Sequence, residues 1–283
     1  MRPGMKNVAR LISAVGIVAV AGALGTSLSS AQLWPTNNVK QKMLAGEKIV
    51  AKRIDLADPA KYCAMASAPG TDFVWTDMVH SGMEYGYVAS MWSAPCPSAV
   101  ARMRGAEIFY AKRVDFTTKA YFRPPDPAAN ELQPKEMQRA TDAGAMIIMI
   151  NVDNLAQARQ VVQRAYYPPM GLRDLGPGQY STVYPAGVTS DYVGSYNDNV
   201  VVIAIISTVQ GVSQANAIAA VPGIHALAID TMNLQSEAGY PAGSADYSKL
   251  EQAIRGAART SRKYLCTGDR AAVPNTLTCE KAS

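Results

Sequence analysis

Two residues with the right types for proton chemistry stand three apart in the stretch Asp72-Phe73-Val74-Trp75-Thr76-Asp77-Met78-Val79-His80-Ser81-Gly82. A carboxylate and an imidazole this close can move a proton, provided the ring is held in one tautomer. The first half of the stretch is apolar, β-branched and aromatic and predicts a buried strand. Ser81-Gly82 ends it, so Asp77 and His80 are expected at the C-terminal end of a strand, where α/β barrels and open α/β sheets place their chemistry. The plainer alternative makes Asp77 a helix cap and His80 a satisfied core histidine.

The elements that must position this pair alternate along the chain. Helices are predicted over 39–45, 59–68, 134–142, 154–166, 213–220 and 246–264. Strands are predicted over 49–56, up to His80, over 119–122, 145–152, 200–206 and 226–230. Pro134 opens its helix where a missing N–H costs nothing, and Asn154 is placed as an N-cap. The runs Ala145 to Val152 and Val200 to Ile206 are apolar throughout, as in strands covered on both faces. Gly171 to Asn199 is too long for an ordinary connection and is either functional or partly helical. Its tyrosines, Tyr180, Tyr184, Tyr192 and Tyr196, suit a wet surface or oligomer contact, with a pocket-lining role as the alternative. Strand–helix alternation over this length predicts an α/β fold with a parallel sheet, closed as a (β/α)8 TIM-type barrel.

Residues 1–31 are read as a secretory signal peptide. Arg2, Lys6 and Arg10 precede the apolar run Leu11 to Leu24, and Ser29-Ser30-Ala31 offers a cleavage site before Gln32. Residues 32–283 are then one barrel domain with a cysteine-containing tail, and a periplasmic or secreted location is expected. No later segment is long and apolar enough to span a bilayer. The chain carries 27 basic and 22 acidic residues, and removing the three basic leader residues leaves a net charge of about +2. That balance argues against a nucleic-acid partner, and Arg255, Arg259, Arg262 and Lys263 are read as a solvated helix face. Four cysteines in an exported chain predict two disulfides, with Cys266–Cys279 favoured by proximity and Cys63–Cys96 left.

In these motifs the sequence resembles the HpcH/HpaI aldolases, the divalent-metal-dependent pyruvate aldolases related to citrate lyase β-subunits. The strand ending Asp77-Met78-Val79-His80 is similar to the family's D-x-E-H element, and Phe122-Arg123-Pro124 to its V-R-x-P element. Asp142-Ala143-Gly144-Ala145, Tyr167-Pro168-Pro169-Met170-Gly171-Leu172-Arg173, Val221-Pro222-Gly223-Ile224 and Asn233-Leu234 follow in the family's order. The resemblance implies a catalytic base at His80, its acidic partner at Asp142, and Arg123 holding a substrate carboxylate. Asp77, Ser207 and Asn233 join Arg123 as expected substrate-binding residues.

The same comparison implies a Mg²⁺ or Mn²⁺ cofactor in the family, but the two carboxylate ligand positions correspond here to Ser207 and Asn233. Hard cations need anionic oxygens, so no metal site is expected, unless Asp230 substitutes. Asp230 could equally be a helix cap. The expected activity is therefore a divergent exported lyase, acting on a carboxylate or aromatic carbonyl or hydroxy compound. Its chemistry would be His general acid–base catalysis without the family's metal. The alternative is a non-catalytic small-molecule binding protein on an aldolase scaffold. A homo-oligomer is expected in either case.

Overall fold

The computed structural model describes residues 37–56, 58–78, 88, 91, 106–109, 137, 140–142, 145–176, 190–241, 243–269 and 275–283. All of them belong to the compact unit Trp34–Ser283. In chain order the elements are α1 (Asn38–Ala45), β1 (Ile49–Ile54), α2 (Pro59–Ser67), β2 (Phe73–Asp77), β3 (Ala106–Phe109), β4 (Ile147–Asn151) and α3 (Leu155–Ala165). They continue with α4 (Ser190–Asn199), β5 (Val201–Ile206), α5 (Val209–Ala219), β6 (Ala226–Ile229), α6 (Thr231–Ala238), α7 (Ala245–Thr260), β7 (Tyr264–Gly268) and β8 (Thr276–Lys281).

The strands close into a barrel in sequence order. β1 to β7 run parallel, each paired with the next, whereas β8 is antiparallel to both β7 and β1. The expected eight parallel strands are thus corrected to seven plus one. The reason is the connection: residues 269–275 are too few for the helical crossover of about a dozen residues that a parallel return requires. The short link leaves only a reversal, and β8 fills the last gap.

The continuous apolar runs are explained by two cores. Inward-facing Ile147, Met149, Val201, Ile203 and Ile205 fill the barrel, while Ile148, Ile150, Val202, Ala204 and Ile206 pack outward beneath the helices. Cys266 and Cys279 are register partners on β7 and β8, and their disulfide lies fully buried inside the barrel. Cys63 is disulfide-bonded as well, and Cys96 lies outside the described residues.

α1 crosses the N-terminal end of the barrel. The Asn37 side chain caps it, and its Nδ2 also donates to Met146 O at 3.1 Å and Asn199 O at 2.9 Å. Tyr264 Oη donates to the Glu47 carbonyl at 3.0 Å from below. Asn154 caps α3 as expected, its side chain accepting from Gln157 N at 2.9 Å.

Three elements differ from the expectation. Ala106–Phe109 is a barrel strand that the sequence reading left out, and the predicted strand 119–122 lies outside the described residues. Ser190–Asn199 is helical, in line with the partly helical alternative given for the stretch 171–199. Its Tyr196 is fully buried rather than at a wet surface, and Tyr180 and Tyr184 lie outside the described residues. The helix predicted over 246–264 ends at Thr260, and the cysteine-containing tail, given no element in the sequence reading, supplies two strands.

Candidate active site at the barrel mouth

Parallel strands all deliver their C-terminal ends to one mouth, so the last inward-facing residue of each strand meets its neighbours there. On β1 and β2 those residues are Arg53 and Asp77. Arg53 Nη2 donates to Asp77 Oδ2 at 2.9 Å, with the two side chains 7% and 1% exposed. Arg53 Nε also pairs with Asp55, and the guanidinium lies 5.2 Å from the Trp75 ring centroid. The stacking follows from register, since Arg53 and Trp75 are partners across β1 and β2. Asp77, expected as a substrate ligand, therefore holds a fixed cation at the mouth.

On the opposite side Asn151 ends β4 and Ser207 follows β5. Asn151 Nδ2 donates to Ser207 Oγ at 3.0 Å, and Ser207 is fully buried. Asn151 Oδ1 and Trp75 Nε1 are buried polar atoms with no hydrogen-bond partner among the described residues. A buried acceptor and a buried donor of this kind are what a polar ligand or water would satisfy.

Asp230 is the N-cap of α6, so the capping alternative raised for it holds. Its Oδ1 accepts from Asn233 N at 3.1 Å and its Oδ2 from Asn233 Nδ2 at 2.7 Å. This bears directly on the metal that the family resemblance implies. At the two corresponding positions stand a hydroxyl that accepts from an amide and an amide that donates to a carboxylate. Asp230 has both oxygens engaged, Asp77 is paired with Arg53, and Asp153 accepts from Thr208 Oγ1 at 2.6 Å. No cluster of three or more acidic, histidine or cysteine side chains that could hold a metal ion forms among the described residues. That donor set does not fit a hard divalent cation.

His80 and Arg123 lie outside the described residues. Asp142 is described, and it does not reach the mouth within its own chain. It precedes β4, at the N-terminal face, whereas Asp77 ends β2 at the C-terminal one. The intervening strand of five residues spans about 17 Å. Asp142 Oδ1 instead accepts from Arg173 Nη2 at 2.6 Å, with the Arg173 side chain 1% exposed. Arg173 lies 4.7 Å from the Tyr167 ring and 4.6 Å from the Tyr196 ring. Burial pushes the Tyr196 hydroxyl up to about 12, so it stays a neutral wall of this cage. The structure thus gives Asp142 a partner in Arg173, while its expected pairing with His80 falls on a residue outside the described ones.

The Tyr167-to-Arg173 motif is the device that buries Arg173. Leu172 N donates to Gln163 O at 2.6 Å and Arg173 N to Tyr166 O at 3.0 Å, folding the segment back on the end of α3. A Cβ on Gly171 would stand 2.2 Å from Tyr166 O, so the fold-back needs glycine there.

Arg53, Trp75 and Asn151 were missed by the sequence reading. Arg53 carried a usable signal: it extends the alternation of Ile49 and Ala51 on the inward face of β1, where an arginine has no apolar role. Asn151 ends an apolar run in the same way.

The HpcH/HpaI aldolase/citrate lyase model matches residues 98–267. Among curated relatives, a hydroxypyruvate/pyruvate aldolase of Chromohalobacter salexigens is 31% identical over 43% of this chain and 48% of its own length. A hydroxypyruvate/pyruvate aldolase of Paraburkholderia phytofirmans is 26% identical over 77% and 76%. The chain spans about half the length, 48%, of the first two curated relatives it matches. Among solved structures, an HpcH/HpaI aldolase of Desulfitobacterium hafniense superposes with a TM-score of 0.66 at 22% identity, over 83% of each chain. That superposition shows the shared fold. The family match takes in more than half of the chain and both strands that frame Asn151 and Ser207, and the chain belongs to the HpcH/HpaI aldolase/citrate lyase family.

Proposed function

We propose that this protein is a carbon–carbon lyase of the aldolase type, acting on a small hydroxy-oxo acid at the barrel mouth. The observation that carries the reading is the family match over residues 98–267, laid on a mouth that gathers Arg53–Asp77 and Asn151–Ser207. In this reading His80 takes the proton of the substrate hydroxyl as the carbon–carbon bond breaks, and returns it to the enolate carbon. Arg123 holds the substrate carboxylate through its planar fork. The oxyanion that develops falls to fixed donors of the mouth, Asn151 Nδ2 and Trp75 Nε1–H among them, rather than to the family's metal. By the family correspondence Ser207 and Asn233 take the ligand positions of that metal, and in this reading they contact the substrate. Export to the periplasm or beyond is part of the proposal, supported by the basic and apolar leader and the disulfide-bonded Cys63, Cys266 and Cys279.

The test is pyruvate release from a panel of hydroxy-oxo acids, with and without added Mg²⁺ or Mn²⁺. Release by the chelator-treated protein that vanishes in His80→Ala supports the lyase. Release that persists at full rate in His80→Ala removes the proton role. The loss of the two carboxylates favours a second reading, a carboxylate-binding protein. It would show as saturable binding of these acids, weakened in Arg123→Lys, with no turnover.

A further inference from the structure

The base of the barrel, opposite the mouth, carries a second group of titratable side chains. Lys40 of α1 touches His225, which stands just before β6, through Nζ and Nε2. The other ring nitrogen, Nδ1, accepts the Val202 backbone N–H at 3.1 Å, and the His225 N–H donates to Val202 O at 2.8 Å. These bonds decide the tautomer. Nδ1 accepts only through a lone pair, so the ring hydrogen is on Nε2. Nε2–H then points at Lys40 Nζ, which can accept it only as an uncharged amine, because an ammonium has no lone pair. The reverse arrangement, an ammonium donating to Nε2, would turn an Nδ1–H against the Val202 N–H and leave that amide unpaired.

The surroundings favour the same state. Burial pushes the Lys40 amine below the ordinary lysine range, exposed Asp198 on α4 opposes this, and Lys263 just before β7 adds to it. Burial above all, with the charges of Lys40 when it is protonated and of Lys263, holds His225 down to about 3, so the ring does not take the proton that Lys40 gives up. Lys263 Nζ donates to Ile224 O at 2.7 Å, which leaves it further hydrogens for an anion. Lys40 is half-buried, so its amine is sheltered but reachable.

We propose that Lys40 is a covalent capture site for small aldehydes that carry a carboxylate, with Lys263 pairing the carboxylate. As the aldehyde enters, Nζ gives up the Nε2–H hydrogen bond, and the freed lone pair forms a bond to the carbonyl carbon while the carbonyl π electrons move to oxygen. The carbinolamine then loses water, its oxygen leaving with both former amine hydrogens, and a C=N imine remains. No oxidant or reductant takes part. A carboxylate beside Lys263 favours its ammonium form, so binding and charge reinforce each other. This site shares no residue with the mouth, and its test is independent of the lyase reading.

The full chain is incubated at pH 7 with glyoxylate and cyanoborohydride, which reduces an imine to a stable secondary amine, and the labelled lysines are mapped by peptide mass spectrometry. Acetaldehyde serves as the uncharged probe in parallel. Lys40 is expected to label at least ~10-fold faster than exposed Lys61 and Lys249 with either probe, because the uncharged fraction of an amine sets its rate. Lys40 should also prefer glyoxylate, and Lys263→Met should erase that preference while acetaldehyde labelling persists. Lys40 labelling no faster than Lys61 with both probes overturns the site. An undiminished glyoxylate preference in Lys263→Met overturns the assigned role of Lys263.

Discussion

Arg53 and Asp77 form a buried ion pair at the barrel mouth, Nη2 to Oδ2 at 2.9 Å, one residue from each of the first two strands. Neither side chain can relax into water, so the pair stabilises the mouth only while both members are present. Removing one leaves the other short of its buried counter-ion, with only the half-exposed Asp55 remaining to Arg53, at a cost of up to about 3–5 kcal/mol. Asp77→Asn is expected to lower the urea midpoint strongly, and Arg53→Met with Asp77→Leu together to recover much of the loss. A double variant as unstable as the worse single one would show that the pair is not the unit of stability.

Asp142 is expected to act on the fold rather than on the proton step. Asp142→Asn removes the partner of a guanidinium whose side chain is 1% exposed, while Asp142 itself is 30% exposed, so the loss is about 1–3 kcal/mol. Thermal unfolding should move down, and the pH profile of pyruvate release should keep its shape. A shifted profile with unchanged melting would assign Asp142 to the chemistry, through a partner other than its own chain's mouth.

Acid should destabilise the barrel before the carboxylates titrate. His225 is held down to about 3 in the folded state, against about 6.5 when unfolded. Between those values the unfolded chain binds the proton and the folded chain does not, so stability rises with pH across the window and is lost as pH falls from about 6.5 towards 3. Denaturant midpoints at pH 7, 6, 5 and 4 should therefore decline in wild type and decline less in His225→Gln. Parallel declines would remove His225 as the cause.

The disulfide inside the barrel should matter to the closing strand. Cys266 and Cys279 are 13 residues apart, a loop whose closure is worth about 3 kcal/mol. Cys266→Ala with Cys279→Ala is expected to lower Tm, and hydrogen exchange should rise first in β7 and β8. Equal protection in both proteins would mean that the ladder alone holds β8.

Much of this architecture was legible before any coordinates. Apolar runs such as Ala145 to Val152 read as strands because burial on both faces demands apolar side chains at every position. Asn154 and Pro59 marked helix starts because local backbone groups, not distant ones, need satisfying there. The family motifs and the Cys266–Cys279 pair were visible for the same reason: each depends on near neighbours in the chain. Long-range relations were not visible. That Thr276–Lys281 would turn back as an antiparallel eighth strand depended on the shortness of the 269–275 link. That Asp142 would meet Arg173 within its own chain followed from which end of β4 it occupies. That Arg53 would meet Asp77, and Lys40 would meet His225, required register and closure. Composition and periodicity specify which face of an element is apolar. Which residues share an end of the barrel is decided only when parallel strands, closing in order, carry distant parts of the chain to the same side.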